Sequence, residues 1–204
     1  MELFFEIFTV VTGLVYVVLE IKQKNFMWVV GVLTALGAMY MFFTKGLYCS
    51  FALNVYYFCI SFWGLYCWRR DKRKIKLQAA CEDQPEKADL IHLNRLSAKT
   101  VIISVLISFV AVFALARLML LFENPMSYLD STVAVLSAVA TWWLSRAYKQ
   151  QWIIWIVADA LTTTMCLMQG MWWMSVLYAA YTLSAAVGLS YWNKHGVYLS
   201  EKEK

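Results

Sequence analysis

Apolar residues run along this chain in blocks of about twenty, and the polar residues are gathered between the blocks rather than interleaved with them. A helix rising 1.5 Å per residue crosses a hydrocarbon core of about 30 Å in roughly 20 residues. Windows of that length predict seven spanning helices, at about 3–20, 27–43, 47–68, 99–121, 128–147, 151–168 and 171–192, of which the second and sixth are short. The first segment carries Glu2 and Glu6 near its start and has no basic n-region or small-residue cleavage site. It is expected to stay as a helix rather than be removed as a signal peptide.

Charge gives the seven-helix pattern its orientation. With seven spans, sixteen of the eighteen lysines and arginines fall on one side of the membrane and only Lys45 and Arg117 on the other. A missed or invented helix would scramble that split. Because basic residues mark cytoplasmic helix ends, the N-terminus is expected outside and the C-terminus inside. The composition agrees: 204 residues that are 62% hydrophobic and 15% charged describe a polytopic membrane protein, and soluble domains are excluded. The net charge of +5 needs no nucleic acid to explain it, since topology and anionic headgroups already ask for those basic residues.

The one long connection, RRDKRKIKLQAACEDQPEKADLIHLNRLSAK, is charged, contains Pro85 and shows no sustained apolar face, so a solvated cytoplasmic loop is expected. Cys49, Cys59, Cys67 and Cys166 fall in spans and Cys81 in this loop, a pattern of free thiols rather than disulfides. Both histidines, His92 and His195, lie outside the spans, leaving no imidazole for a haem or metal inside the bundle; no cofactor is expected.

An internal repeat is visible. GLYCW (Gly64 to Trp68) closes the third span and GLSYW (Gly188 to Trp192) the seventh; at the same offset Tyr57 pairs with Tyr181, and Lys45-Gly46-Leu47 with Gln169-Gly170-Met171. Earlier in each half, Lys24 through FMWVVG matches Lys149 through WIIWIVA, with Trp28 opposite Trp155 after a small gap. The expected organisation is a first three-helix repeat (1–68), a cytoplasmic loop (69–98), a linker helix (99–121), an outer loop (122–127), a second three-helix repeat (128–192) and a cytoplasmic tail (193–204). The single linker helix makes the two repeats parallel, a transporter plan in which access alternates as one repeat rocks against the other.

The candidate chemistry is in the sixth span. Trp152, Trp155 and Asp159 stand at i, i+3 and i+7, on one stripe of a helix. Asp159 lies about 12 Å into the span, where a carboxylate costs several kcal/mol unless paired or wetted. The only basic residues on the far side, Lys45 and Arg117, are near the surface. A cationic aromatic substrate would supply the missing charge, and tryptophan faces would hold its ring by stacking and cation–π contact, about 0.5–2 kcal/mol each. The competing readings are structural hydrogen bonding of Asp159 with Thr162, Thr163 or neighbouring helices, and interfacial anchoring for Trp152. Asn54 and Tyr57 on the third span and Trp28 on the second join the candidate site; for Asn54 an interhelical hydrogen bond is an equal alternative. Asp130, in the first turn of the fifth helix, suits the helix N-terminus. An intramembrane aspartyl protease would need Asp130 and Asp159 side by side, and their depths differ by roughly 10 Å along straight helices. A structural membrane protein is the remaining class. Small residues are too scattered to mark a dimer face, so homo-oligomerisation is left open.

The 3+1+3 arrangement, the paired G-L-x-x-W endings, the KQKNFMWVVG segment and Trp152-x-x-Trp155-x-x-x-Asp159 together resemble the PnuC vitamin transporters over nearly the whole chain. The resemblance implies a fold similar to SWEET sugar transporters. It also implies a substrate that is a cation with an aromatic ring: nicotinamide riboside in the best-known branch, thiamine in the sister PnuT branch. The family's W-x-x-W-x-x-x-N/D motif lines its substrate site, which places Trp152, Trp155 and Asp159 there. Asp159 stands where the nicotinamide riboside carriers have Asn, and Asn54 where many members have Gln. No ATP-binding motif is present and only one acid lies deep in a span, so the expectation is facilitated diffusion through the inner membrane. The resemblance adds trapping of the substrate by a cytosolic kinase.

Overall fold

A computed structural model of the chain describes residues 13–44, 48–81, 91–120 and 127–198. The expectations for residues 1–12 and for the turn at 45–47 lie outside these. Residues 13–21 are helical (α1) and are followed by α2 (Phe26–Thr44), α3 (Tyr48–Cys81), β1 (Ile91–Leu93), α4 (Ala98–Leu120), α5 (Ser127–Ser145), α6 (Gln151–Met168), α7 (Trp172–His195) and β2 (Gly196–Tyr198). By length and composition α4, α6 and α7 can each cross a membrane. The chain divides into two compact units, described in turn.

The first unit holds residues 1–95, 144–149 and 190–204. Here α2 packs on α3, and the Trp28 ring lies over Gly64: a Cβ there would meet the indole at 2.4 Å. Trp28 also meets Trp68 edge to face at 5.2 Å. Two residues with side chains take left-handed backbone, Gln23 (φ 49) and Ala147 (φ 53). In each of these turns the N–H donates to the carbonyl three residues back, Gln23 to Glu20 and Ala147 to Leu144, both at 2.9 Å. The indoles of the two G-L-x-x-W segments, on α3 and α7, each find a carbonyl beside one of these turns: Trp68 Nε1 donates to Leu144 O and Trp192 Nε1 to Ile21 O, each at 3.0 Å. Both rings are fully buried.

Helix α3 runs well past the expected span end at residue 68, because nothing between Arg69 and Cys81 breaks it: the stretch is Arg, Lys, Asp, Gln, Ile, Leu and Ala with no Gly or Pro. Charged side chains solvate an emerging helix as readily as a coil, so charge alone did not mark the end of the helix. The connection also contains structure that its composition hides. Ile91–Leu93 is a buried strand paired in parallel with β2, Ile91 opposite Gly196 and Leu93 opposite Tyr198. The Gln23 amide grips this strand as a neighbouring backbone would, donating from Nε2 to His92 O (2.8 Å) and accepting from His92 N at Oε1 (2.9 Å). Asn94 continues the clasp, donating from its backbone N–H to Ala147 O (3.2 Å) and from Nδ2 to Arg146 O (2.8 Å) and Asp71 Oδ2 (3.2 Å).

His92 is buried at the centre of this clasp, its Nε2 3.9 Å from Asp71 Oδ2. Neither ring nitrogen has a hydrogen-bond partner among the described residues. Burial pushes the imidazole down to about 4, with Asp71 opposing and Lys72 assisting the shift. The folded protein therefore favours neutral His92, and the unfolded chain binds its proton first as the pH falls. The stability contribution is complete above the ordinary value of 6.5 and is lost as the pH drops from there toward 4. Thermal unfolding in detergent at pH 7 and pH 5 is expected to show a loss on the order of 2 kcal/mol, and His92→Asn should flatten that dependence. An unchanged slope in the variant would assign the acid sensitivity elsewhere.

The second unit holds residues 96–143 and 150–189. Of α4 only Ser104 and Ala116 are buried; Ile102, Leu106, Phe109, Val110 and Phe113 are exposed. An apolar helix so open to its surroundings is solvated by lipid. Ser104 Oγ accepts from Trp143 Nε1 (3.2 Å), which ties α5 to α4. Helix α6 ends where Gly170 turns left-handed (φ 72) and the Met171 N–H caps Cys166 O at 2.9 Å.

Candidate substrate site

In the second unit α6 presents the stripe the spacing predicts. Trp152 and Asp159 are buried and Trp155 is half-buried. The helix needs no help from its polar side chains to form: Thr162 Oγ1 donates to Ala158 O and Thr163 Oγ1 to the backbone O of Asp159, both at 2.8 Å. These hydroxyls are thus committed to the preceding turn, and the proposed hydrogen bonds from Thr162 and Thr163 to the carboxylate are not made.

Among the described residues the Asp159 carboxylate makes no hydrogen bond or ion pair. Arg117, one of the two basic residues expected on the far side of the membrane, lies over the Phe113 ring of its own helix at 4.9 Å. Trp155, one turn before Asp159, has its indole N–H buried with no partner among the described residues. A buried acid and a buried donor, one turn apart and both without a partner among the described residues, form an arrangement that folding alone does not reward.

The same acid has two phenols close by. Tyr178 and Tyr181, at i and i+3 on α7, lie within electrostatic reach of Asp159 and meet each other edge to face at 5.9 Å. Sequence reasoning used Tyr181 only as a repeat partner and passed over Tyr178. The available signal was that Asn54 and Tyr57 have the same spacing at the same offset.

Trp152 is seated differently from Trp155. Its benzo ring lies on Gly188 of α7, where a Cβ would meet Cη2, Cζ2 and Cζ3 at 2.7 Å. This repeats the seat of Trp28 on Gly64 in the first unit. The remaining candidates are also in that unit. Trp28 is buried, and Asn54 and Tyr57 are half-buried on one face of α3. The Tyr57 carbonyl accepts from Ser61 Oγ at 2.7 Å, and its ring tilts against Tyr56 at 5.7 Å. Asp130 sits in the first turn of α5, as the helix-terminus reading expects. Among the described residues no three of His, Cys, Asp or Glu gather as a metal site would require.

The family model described as "Nicotinamide mononucleotide transporter" matches residues 3–194. Similar sequences include the nicotinamide riboside transporter PnuC of Escherichia coli (strain K12) and that of Shigella flexneri; each is 26% identical over 195 residues, covering 89% of this chain and 82% of the relative. Among solved structures, the crystal structure of the vitamin B3 transporter PnuC superposes with a TM-score of 0.63 at 21% identity, covering 91% of this chain and 78% of that one. The fold is shared at that level.

Proposed function

Because the chain belongs to the nicotinamide mononucleotide transporter family, we propose that it carries nicotinamide riboside across the cell's inner membrane by facilitated diffusion. The observation that carries this reading is the buried Asp159 carboxylate without a partner among the described residues, one turn from the unsatisfied Trp155 N–H. A riboside with a cationic ring brings what both groups lack: a positive charge for Asp159, hydroxyls for the indole N–H, and a flat face for Trp155. Tyr178 and Tyr181 supply further polar contacts beside the acid, and Asn54, Tyr57 and Trp28 are the candidates from the first three-helix repeat.

In this reading the helices form two parallel three-helix repeats joined by α4, with the N-terminus outside and the C-terminus in the cytoplasm. Several features support the repeat at an offset of 124 residues, the distance from Gln23 to Ala147: left-handed backbone at those two positions, and tryptophan on glycine at Trp28 and Trp152. This ungapped register sets Trp28 against Trp152, not against Trp155 as the gapped alignment has it. Trp155 and Asp159 then match Gly31 and Ala35, so this indole and carboxylate have no counterpart in the first repeat. With one deep acid and no ATP-binding motif, direction comes from outside the carrier, through phosphorylation of the substrate by a cytosolic kinase.

Titration calorimetry on purified, detergent-solubilised protein tests the substrate, with nicotinamide riboside and thiamine run in parallel. Thiamine is included because Asp159 stands where the nicotinamide riboside carriers have Asn. Nicotinamide riboside is expected to bind, and more tightly than thiamine. The reverse order would move the chain to a thiamine carrier of the same fold, and binding of neither by monodisperse protein would remove the vitamin assignment.

A further inference from the structure

We infer that Trp152 serves the substrate site as a wedge seated on Gly188, which sets the rotation of α6 that presents Trp155 and Asp159, and that Trp155 alone supplies the stacking face. This deepens the carrier reading and rests on it. Trp152 is only 2% exposed, and its ring occupies the space a side chain at position 188 would fill. The glycine lets α7 approach α6 closely enough to trap the indole between the helices. Seven residues at 100° each bring Asp159 back to within about 20° of the Trp152 direction. Whatever fixes the azimuth of Trp152 therefore fixes that of Asp159, two turns along.

The first unit provides an independent observation. Trp28 is 1% exposed and lies on Gly64 in the same way, with Cη2, Cζ2 and Cε2 at 2.4–2.6 Å from a Cβ placed there. Yet the residues three and seven positions after Trp28 are Gly31 and Ala35, which have nothing to offer a ligand. The seat is thus kept where there is no binding stripe to complete. Its purpose is to join neighbouring helices, and in α6 that joint happens to support the residues that bind. Trp152 is accordingly a positioning residue.

The test compares nicotinamide riboside binding by calorimetry in wild type, Gly188→Ala, Trp152→Phe and the double variant. In the wild-type background the added methyl collides with the indole, and affinity is expected to fall about tenfold or more. Phenylalanine at 152 lacks the outer ring atoms and leaves a gap over Gly188, so affinity falls there too. The same methyl then fills that gap, and the double variant is expected to bind several-fold more tightly than Trp152→Phe alone. Gly37→Ala, where a Cβ meets nothing within 4 Å, should bind as wild type. A stacking role for Trp152 would make the loss in Trp152→Phe independent of residue 188. The wedge is overturned if Gly188→Ala binds as wild type does, or if the double variant binds no more tightly than Trp152→Phe. Should Gly188→Ala fail to fold, the comparison of Trp152→Phe with the double variant decides alone. Absence of binding by the wild type would remove the carrier reading itself.

Discussion

Replacing Asp159 by Ala is expected to lower nicotinamide riboside affinity by about a hundredfold while leaving the empty protein as stable as before, or more stable. The two effects have opposite signs for one reason. In the empty protein the carboxylate is buried without a partner among the described residues, and an uncompensated buried charge costs free energy that a neutral methyl does not. In the complex the carboxylate faces the substrate's cationic ring. Removing one member of such a desolvated charge pair costs on the order of 3 kcal/mol, which is the hundredfold. Calorimetry reads the affinity and thermal unfolding of ligand-free protein reads the stability. If Asp159 were a structural contact, the substitution would destabilise the empty protein. That outcome, with affinity retained, would take the acid out of the site.

The largest expected effect on stability comes from Trp192→Ala. The ring is completely buried at the end of α7, and its Nε1 donates to Ile21 O at 3.0 Å, joining residues far apart in the chain within the first unit. Truncation removes that hydrogen bond and opens a cavity the size of an indole. Large aromatic to alanine changes in cores cost about 3–5 kcal/mol. For a chain of this length that corresponds to a fall in unfolding temperature of about 10 °C or more. Trp192→Phe keeps much of the volume and loses the donor, so its loss is expected to be smaller, and Trp68→Ala should resemble Trp192→Ala because Trp68 makes the matching bond to Leu144 O. Unfolding temperatures within a degree or two of wild type for both alanine variants would contradict this account of the clasp.

How far the sequence could be read varies from element to element, for physical reasons. Lipid solvates a helix uniformly, so the apolar blocks report helix length directly: the expected span at 151–168 coincides with α6 (Gln151–Met168), and that at 99–121 lies within a residue of α4 (Ala98–Leu120). Water solvates helix and coil alike once the side chains are charged, and so α3 could be followed only to the edge of the apolar block and not to Cys81. The strand at Ile91–Leu93 is three residues long and pairs with a segment more than a hundred residues away, a contact with no local signature. In the candidate site, the stripe of Trp152, Trp155 and Asp159 was legible because helical periodicity is strict. What each residue does along the stripe was not, because it depends on neighbours. Thr162 and Thr163 bond their own helix, and Gly188 seats Trp152, which are matters of packing rather than spacing. Tyr178 stood out through its proximity to Asp159.

Counterflow in proteoliposomes tests the central claim most directly. Purified protein is reconstituted with unlabelled nicotinamide riboside inside, no ion gradient is imposed, and labelled nicotinamide riboside is added outside. A facilitated carrier with one binding site is expected to accumulate label transiently, in vesicles preloaded with substrate and not in empty ones, and Asp159→Ala should abolish the exchange. Failure of preloaded wild-type vesicles to exchange label, or accumulation that requires an imposed proton or sodium gradient, would contradict the account.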